Sequence, residues 1–86
     1  MRRVWVTSEA YEAAVRTLVS ARMSQGISQR RLAEILRKPR SFVSKYENRE
    51  RRLDIVEFIV IAKAIGIAPA TLMTMVADAL PADVQI

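Results

Sequence analysis

Residues 26–48 read GISQRRLAEILRKPRSFVSKYEN, and this stretch decides the fold. Ser28 is a typical N-cap residue and is followed by apolar residues at helical spacing, so a short helix is expected from Gln29 to Leu36. Pro39 cannot lie inside a helix but suits the first turn of one, which predicts a second short helix over residues 39–48. The stretch therefore predicts two short helices joined by only two or three residues.

Longer helices are predicted on both sides of this pair. Thr7 and Ser8 are N-cap candidates for a first helix, and Gly26 ends that helix. Asp54 is the expected N-cap of a fourth helix, which ends at Gly66. The fourth helix carries apolar residues around much of its circumference, as expected for the most buried helix of a small bundle.

A fifth helix is expected from Pro69 to about Leu80, because proline suits a first helical position. Together the five helices predict an all-α fold, a compact five-helix bundle. We expect a single domain over residues 1–86, with a short N-terminal arm at 1–7 and a C-terminal helix and tail at 69–86.

The composition limits the function classes. The chain has 86 residues, of which 51% are hydrophobic and 27% charged, as in a small globular domain. It contains no His and no Cys, which excludes zinc fingers, disulfide frameworks and His-based acid/base catalysis. No apolar run approaches the roughly 20 residues that a membrane span requires. We therefore expect a soluble cytoplasmic protein that is not an enzyme, with no cofactor, no metal and no membrane partner.

The net charge of +5 is concentrated in the middle of the chain. Residues 30–52 contain nine basic and three acidic side chains, a net charge of +6, whereas residues 53–86 carry −3. A basic block of this kind favours a polyanionic partner such as nucleic acid. The acidic C-terminal third is left available for another partner.

Two short helices flanked by longer ones are the layout of a helix-turn-helix. Several separated segments carry a family resemblance: Leu18, Ala21-Arg22, GISQ at 26–29, Leu32-Ala33, VSKYEN at 43–48 and IAKAIG at 61–66. With these segments the chain resembles the lambdoid phage repressor and Cro class of DNA-binding domains, also called XRE-like. The resemblance covers about residues 11–75 and implies a lambda-repressor-like fold that binds double-stranded DNA.

The resemblance also implies roles for residues of the basic block. Val43 and Tyr46 occupy the inward side of the third helix, and the family places base-reading residues on its other side. The residues at the base-reading positions are Arg40, Ser41, Ser44 and Lys45. Gln29 follows the N-cap Ser28, where a side-chain amide and free backbone N–H groups suit a phosphate. The expected contacts to the DNA backbone are Ser28, Gln29, Arg30, Arg31, Lys38, Arg49, Arg51 and Arg52.

Two further features concern the loops and the packing of the third helix. In the family an Arg late in the first helix pairs with the Glu that closes the third helix, which implies a structural ion pair between Arg22 and Glu47. Arg37 and Arg49 stand where relatives often have Gly. Because a non-glycine residue at positive φ is uncommon, the sequence leaves the backbone of these two loops open, although the added charges suit DNA.

A dimer is expected because one helix reads only a few base pairs, and this class pairs half-sites about one helical turn apart. The fifth helix has more apolar residues than one face needs. The expected dimer contacts are Leu72, Met73, Met75, Val76 and Leu80. The alternative is that this helix only caps the core. At the N-terminus the sequence favours a frayed segment. The alternatives are that Arg2 and Arg3 reach DNA as an arm, or that residues 4–6, with Trp5, add to the dimer contact or to the core.

The leading hypothesis is a sequence-specific transcriptional regulator, a repressor that binds a palindromic operator as a homodimer. One alternative is the antitoxin of a toxin–antitoxin pair, which would give its acidic C-terminal third to a toxin. Another is a protein-interaction module that uses the same fold without DNA.

Overall fold

The computed structural model describes residues 8–85, and within this range it contains five helices and no strand. The helices are α1 (Glu9–Ser24), α2 (Gln29–Leu36), α3 (Arg40–Glu47), α4 (Ile55–Ala64) and α5 (Pro69–Ala79). The predicted all-α bundle is confirmed. Arg2, Arg3 and Trp5 lie outside the described residues.

Side-chain caps explain where three of the helices begin. The Ser8 hydroxyl accepts a hydrogen bond from the Tyr11 amide at 3.1 Å, and the Ser28 hydroxyl accepts one from the Arg31 amide at 3.0 Å. At α4 the Asp54 carboxylate accepts from the Glu57 amide at 2.7 Å, and the Glu57 carboxylate accepts from the Asp54 amide at 3.0 Å. This reciprocal capping box satisfies two amides that the helix itself leaves without partners.

The turn of the helix-turn-helix differs from the prediction by one residue. Pro39 has an extended backbone, with φ −62° and ψ 151°, and precedes α3 as its N-cap residue instead of lying in its first turn. A proline N-cap has no side-chain oxygen to offer, and the start of α3 has no side-chain cap.

The first four helices close with the same backbone pattern, in which an amide donates to the carbonyl five residues earlier. In each case the residue before that amide has a left-handed backbone conformation, with φ between 57° and 82°. These residues are Gly26, Arg37, Arg49 and Gly66. Glycine adopts this conformation freely, whereas an L-residue pays about 1 kcal/mol or more. The two loops in which relatives often have glycine therefore keep the glycine-like backbone with an arginine in place.

All five helices contribute buried side chains to one apolar core. The largest fully buried side chains are Val15, Leu32, Val43, Tyr46, Ile61, Ile65 and Leu72. Each buried aliphatic side chain of this kind stabilises the fold by about 1.5 to 3 kcal/mol. Leu72, expected among the dimer contacts, is fully buried in this core, so its side chain offers no surface to a second chain.

The expectation that α4 is the most buried helix is wrong. Its buried side is formed by Ile61 and Ala62, while Ile55 and Val56 are 74% and 68% exposed. An apolar pattern around the whole helix does not reveal which sides have packing partners, and here only one side has them. The opposite side is an exposed apolar stripe formed by Ile55, Val56, Ile59 and Val60.

The α5 residues expected at a dimer contact do not form one surface. Met73 and Val76 line a groove with Ile55 and Phe58 of α4, whereas Met75 lies on the other side of α5, beside Ala13 and Ser20 of α1.

No single helix of residues 8–85 is long and apolar enough to cross a membrane. The helices α4 and α5 reach the required length and apolar character only when they are taken together, across a bend of 113°.

Candidate nucleic-acid interface

The third helix turns one side to the core and the other to solvent. Val43 and Tyr46 are completely buried, while Arg40, Ser41 and Lys45 are exposed. Within the described part of the chain, the Arg40 and Lys45 side chains make no hydrogen bond or ion pair. The structure therefore brings three of the four expected base-reading side chains to one accessible surface, with donors available for a ligand.

Ser44, the fourth of these residues, is half-buried, and its hydroxyl donates to the Ser41 carbonyl at 3.3 Å. A hydroxyl in this position keeps its acceptor lone pairs and rotates easily, so it can still meet a base edge. Its environment is nevertheless more restricted than that of its neighbours on α3.

Glu47 closes α3 and connects three helices. Its carboxylate accepts from the Arg22 guanidinium at 2.8 and 3.0 Å, and from the Gln29 side-chain amide at 2.8 Å. The guanidinium also donates to the Ile27 carbonyl at 2.7 Å. Arg22 and Glu47 are each only 8% exposed. The structure thus contains the ion pair that the resemblance implies, as a buried fork that ties α3 to α1 and to the start of α2.

The start of α2 keeps the features of an anion site even though the Gln29 amide is engaged by Glu47. Ser28 caps the helix, and the first intrahelical bond runs from the Leu32 amide to the Ser28 carbonyl at 2.9 Å. The amides of Gln29 and Arg30 therefore precede that bond, at the positive end of the helix dipole. The Gln29 side chain lies at this end of α2 and is held there by its hydrogen bond to Glu47.

Most of the other cations expected on a DNA backbone are exposed. Arg30 and Lys38 lie at the surface, and the Arg31 side chain contacts Glu34 at 3.3 Å in a solvent-exposed pair. Arg49 contacts Glu12 at 3.4 Å, and the Arg52 guanidinium lies 4.6 Å from the centre of the Tyr11 ring. Exposed ion pairs of this kind contribute about 0 to 1 kcal/mol and exchange readily for a phosphate.

Arg51 is held differently. Its guanidinium donates to both carboxylate oxygens of Glu57, at 3.1 and 3.0 Å. Its central carbon lies 4.8 Å from the centre of the Phe42 ring, and the Lys38 ammonium lies 5.6 Å from that ring. The Phe42 ring in turn meets Tyr46 edge to face, with centroids 5.9 Å apart. Phe42 therefore packs against its neighbours.

Comparison with known proteins agrees with this geometry. The helix-turn-helix family model matches residues 18–72, which include α2, α3, α4 and the turn between the first two. The chain belongs to the XRE family of helix-turn-helix proteins. Its structure is similar to that of an XRE-family like protein from Pseudomonas syringae pv. tomato str. DC3000, with 41% sequence identity and a TM-score of 0.78. The alignment covers 88% of this chain and 93% of that chain. No curated protein matches the sequence.

Membership of the XRE family places the chain among DNA-binding transcriptional regulators.

The surroundings of the Arg51–Glu57 pair and of Tyr46 shift the pKa values of these side chains. The hydrogen bonds from Arg51 hold the pKa of Glu57 below its ordinary value, and those bonds raise the pKa of Arg51. Burial raises the pKa of Tyr46, whose hydroxyl has no hydrogen-bond partner among the described residues. Tyr46 therefore stays neutral and serves as an apolar core residue.

Sequence reasoning missed the contact of Arg51 with Glu57 and Phe42. The spacing of Asp54 and Glu57 is the signature of a capping box and was a usable signal for that part of the arrangement. The pairing of Arg51 across the loop leaves no comparable pattern, because it depends on how the loop turns.

Proposed function

We propose that this XRE-family chain is a sequence-specific transcriptional repressor that reads its operator with α3. The observation that carries the proposal is the placement of Arg40, Ser41 and Lys45 on the exposed side of a helix whose other side is locked into the core. A guanidinium or an ammonium donates to guanine O6 and N7 in the major groove, and a serine hydroxyl meets several bases. Repression needs no further apparatus, because a bound protein blocks polymerase.

The phosphate contacts in this proposal come from the N-terminus of α2 and from the loops before and after α3. The N-terminus of α2 offers the amides of Gln29 and Arg30 with the side chains of Arg30 and Arg31. Lys38, Arg49 and Arg52 supply further charges from the loops. These groups position the protein on the duplex, while α3 provides the selectivity.

Dimerisation on a palindromic operator is the second part of the proposal. Met73 and Val76 on one side of α5 share their groove with Ile55 of α4, which is 74% exposed. A two-fold contact over this groove would cover apolar side chains that the monomer leaves in water. We assign Leu80 to the same contact and leave Met75 outside it, because Met75 lies on the other side of α5.

The test of DNA recognition is an anisotropy titration with a preferred duplex and a scrambled one. Arg40→Ala or Lys45→Ala is expected to cost about 1 to 3 kcal/mol on the preferred duplex and to lower the ratio of the two affinities. Lys63→Ala is the matched control, because it removes one exposed positive charge outside residues 30–52. If both α3 variants keep the wild-type ratio, α3 does not read the bases.

The dimer is tested by sedimentation of Met73→Glu and Met75→Glu, a matched pair on opposite sides of α5. Met73→Glu is expected to give a monomer that binds the operator weakly, while Met75→Glu stays dimeric. A wild-type chain that remains monomeric on operator DNA would contradict the proposed assembly.

A further inference from the structure

The recognition helix α3 is attached to the bundle unevenly. Its buried residues pack among α1 and α2, but no Cα atom of α3 lies within 8 Å of a Cα atom of α4. At the C-terminal end of α3, the fork between Glu47 and Arg22 holds the helix in place. At its N-terminal end no side chain caps the helix, because the preceding residue is Pro39. The base-reading positions Arg40 and Ser41 lie at this less secured end.

The Arg51 guanidinium bridges the distance between this end and α4. On one edge it makes two parallel hydrogen bonds to Glu57, which belongs to the first turn of α4. On its face it lies 4.8 Å from the ring centre of Phe42, in the first turn of α3. Glu57 is itself held by the capping box with Asp54, so the α4 side of the bridge is fixed to backbone.

We propose that Arg51 is a positioning residue that sets the placement of the N-terminal turn of α3, and not a phosphate contact. This inference rests on the proposed function, since it concerns the helix that reads the bases. A bidentate fork combined with stacking on an aromatic face is specific to the planar guanidinium, and an ammonium reproduces neither feature. Phe42 directly follows the base-reading residues Arg40 and Ser41 in the first turn of α3, so a displacement of Phe42 also displaces these two side chains.

The pairing of the Arg51 charge also argues against a phosphate contact. Glu57 neutralises it at 3.0 Å, so the pair brings almost no net charge to a DNA backbone. Glu57 engages two of the five guanidinium N–H donors and the Phe42 ring lies over one face, so a phosphate would compete with Glu57 for the same positive charge. Arg30 and Arg49 have no such bidentate partner among the described residues.

The experiment compares Arg51→Lys, which keeps the charge, with Arg16→Lys as the matched control, because Arg16 makes a solvent-exposed pair with Glu12 on α1. The affinities for a preferred and a scrambled duplex are measured over a range of salt concentrations. Arg51→Lys is expected to lower the specificity ratio about three- to tenfold and to leave the salt dependence unchanged. Phe42→Tyr, which keeps the ring, is expected to retain the wild-type ratio, whereas Phe42→Leu is expected to lower it. Arg16→Lys is expected to change neither the specificity ratio nor the salt dependence.

Two results would overturn the inference. One is an Arg51→Lys variant with the wild-type specificity ratio. The other is an Arg51→Ala variant that weakens both duplexes equally and lowers the salt slope by about 1, as loss of a phosphate contact does.

A second measurement separates this inference from the proposed function. Hydrogen exchange of the free protein is expected to show faster exchange of α3 amides in Arg51→Lys, with α2 unchanged. Unchanged exchange in α3 would overturn the positioning role whatever the protein binds. If exchange rises as expected but Arg40→Ala leaves the specificity ratio unchanged, the base-reading role of α3 fails and the positioning of the helix stands.

Discussion

Removal of the Glu47 carboxylate is the perturbation whose effect the structure predicts most sharply. Glu47→Ala leaves the Arg22 guanidinium 8% exposed in the wild-type geometry and without its two carboxylate hydrogen bonds. The Gln29 amide loses its acceptor at the same time. The same substitution also separates the C-terminal end of α3 from α1 and from the start of α2.

The magnitude follows from the burial of the pair. Removing one partner of a buried ion pair costs about 3 to 5 kcal/mol, because the remaining charge is left uncompensated. In a domain of this size, each 1 kcal/mol lowers Tm by about 4 to 8 °C. We therefore expect Glu47→Ala to lower Tm by at least about 12 °C. Arg22→Ala should have an effect of the same order, and the double variant should cost clearly less than the two single variants added together.

Thermal unfolding followed by circular dichroism provides the measurement. Glu12→Ala is the control, because Glu12 contacts Arg16 and Arg49 in pairs with 44% of its side chain exposed. That variant is expected to cost about 1 kcal/mol or less. The reasoning is refuted if Glu47→Ala melts within about 4 °C of the wild type, or if Glu12→Ala and Glu47→Ala lower Tm equally.

Three further predictions follow from single contacts. Tyr46→Phe removes a buried hydroxyl that has no hydrogen-bond partner among the described residues, so the free energy of unfolding measured in urea should rise by about 1 kcal/mol. A fall of that size would show that the hydroxyl has a stabilising partner. Arg37→Gly relieves a φ of 57° and should raise Tm by a few degrees, equivalent to about 0.5 to 1 kcal/mol; a lower Tm would show that the arginine side chain compensates for its backbone. Because the folded pKa of Glu57 is lowered, its pair with Arg51 stabilises the protein above the ordinary glutamate pKa of about 4.3 and is lost as the pH falls through the lower folded value. The Tm difference between wild type and Glu57→Gln should therefore shrink as the pH is lowered below the ordinary glutamate pKa, and a difference that does not change on this acidification would refute the assignment.

The helix-turn-helix itself was readable from local chemistry. Ser28 and Asp54 cap helices as their side chains suggest, and Gly26 and Gly66 stand at left-handed positions that glycine adopts freely. These features depend on a few neighbouring residues, so the sequence contains all that is needed to predict them.

The tertiary features were less accessible. An apolar pattern around the whole of α4 does not specify its exposed side, so a helix expected to be the most buried leaves Ile55 74% exposed. The apolar surplus on α5 likewise gave no indication that Met73 and Met75 lie on opposite sides, or that Leu72 is wholly buried. The ion pair of Arg22 with Glu47 joins residues 25 positions apart, and only the family resemblance pointed to it.

The central claim is that α3 reads a specific duplex sequence, and selection from a randomised duplex library tests it most directly. The wild-type chain should enrich a short motif in two inverted copies whose centres lie about one helical turn, roughly 34 Å, apart. Selection with Arg40→Ala should lose the preference at particular positions of that motif and keep it at the others. A wild-type selection that enriches no motif over the starting library would contradict the claim.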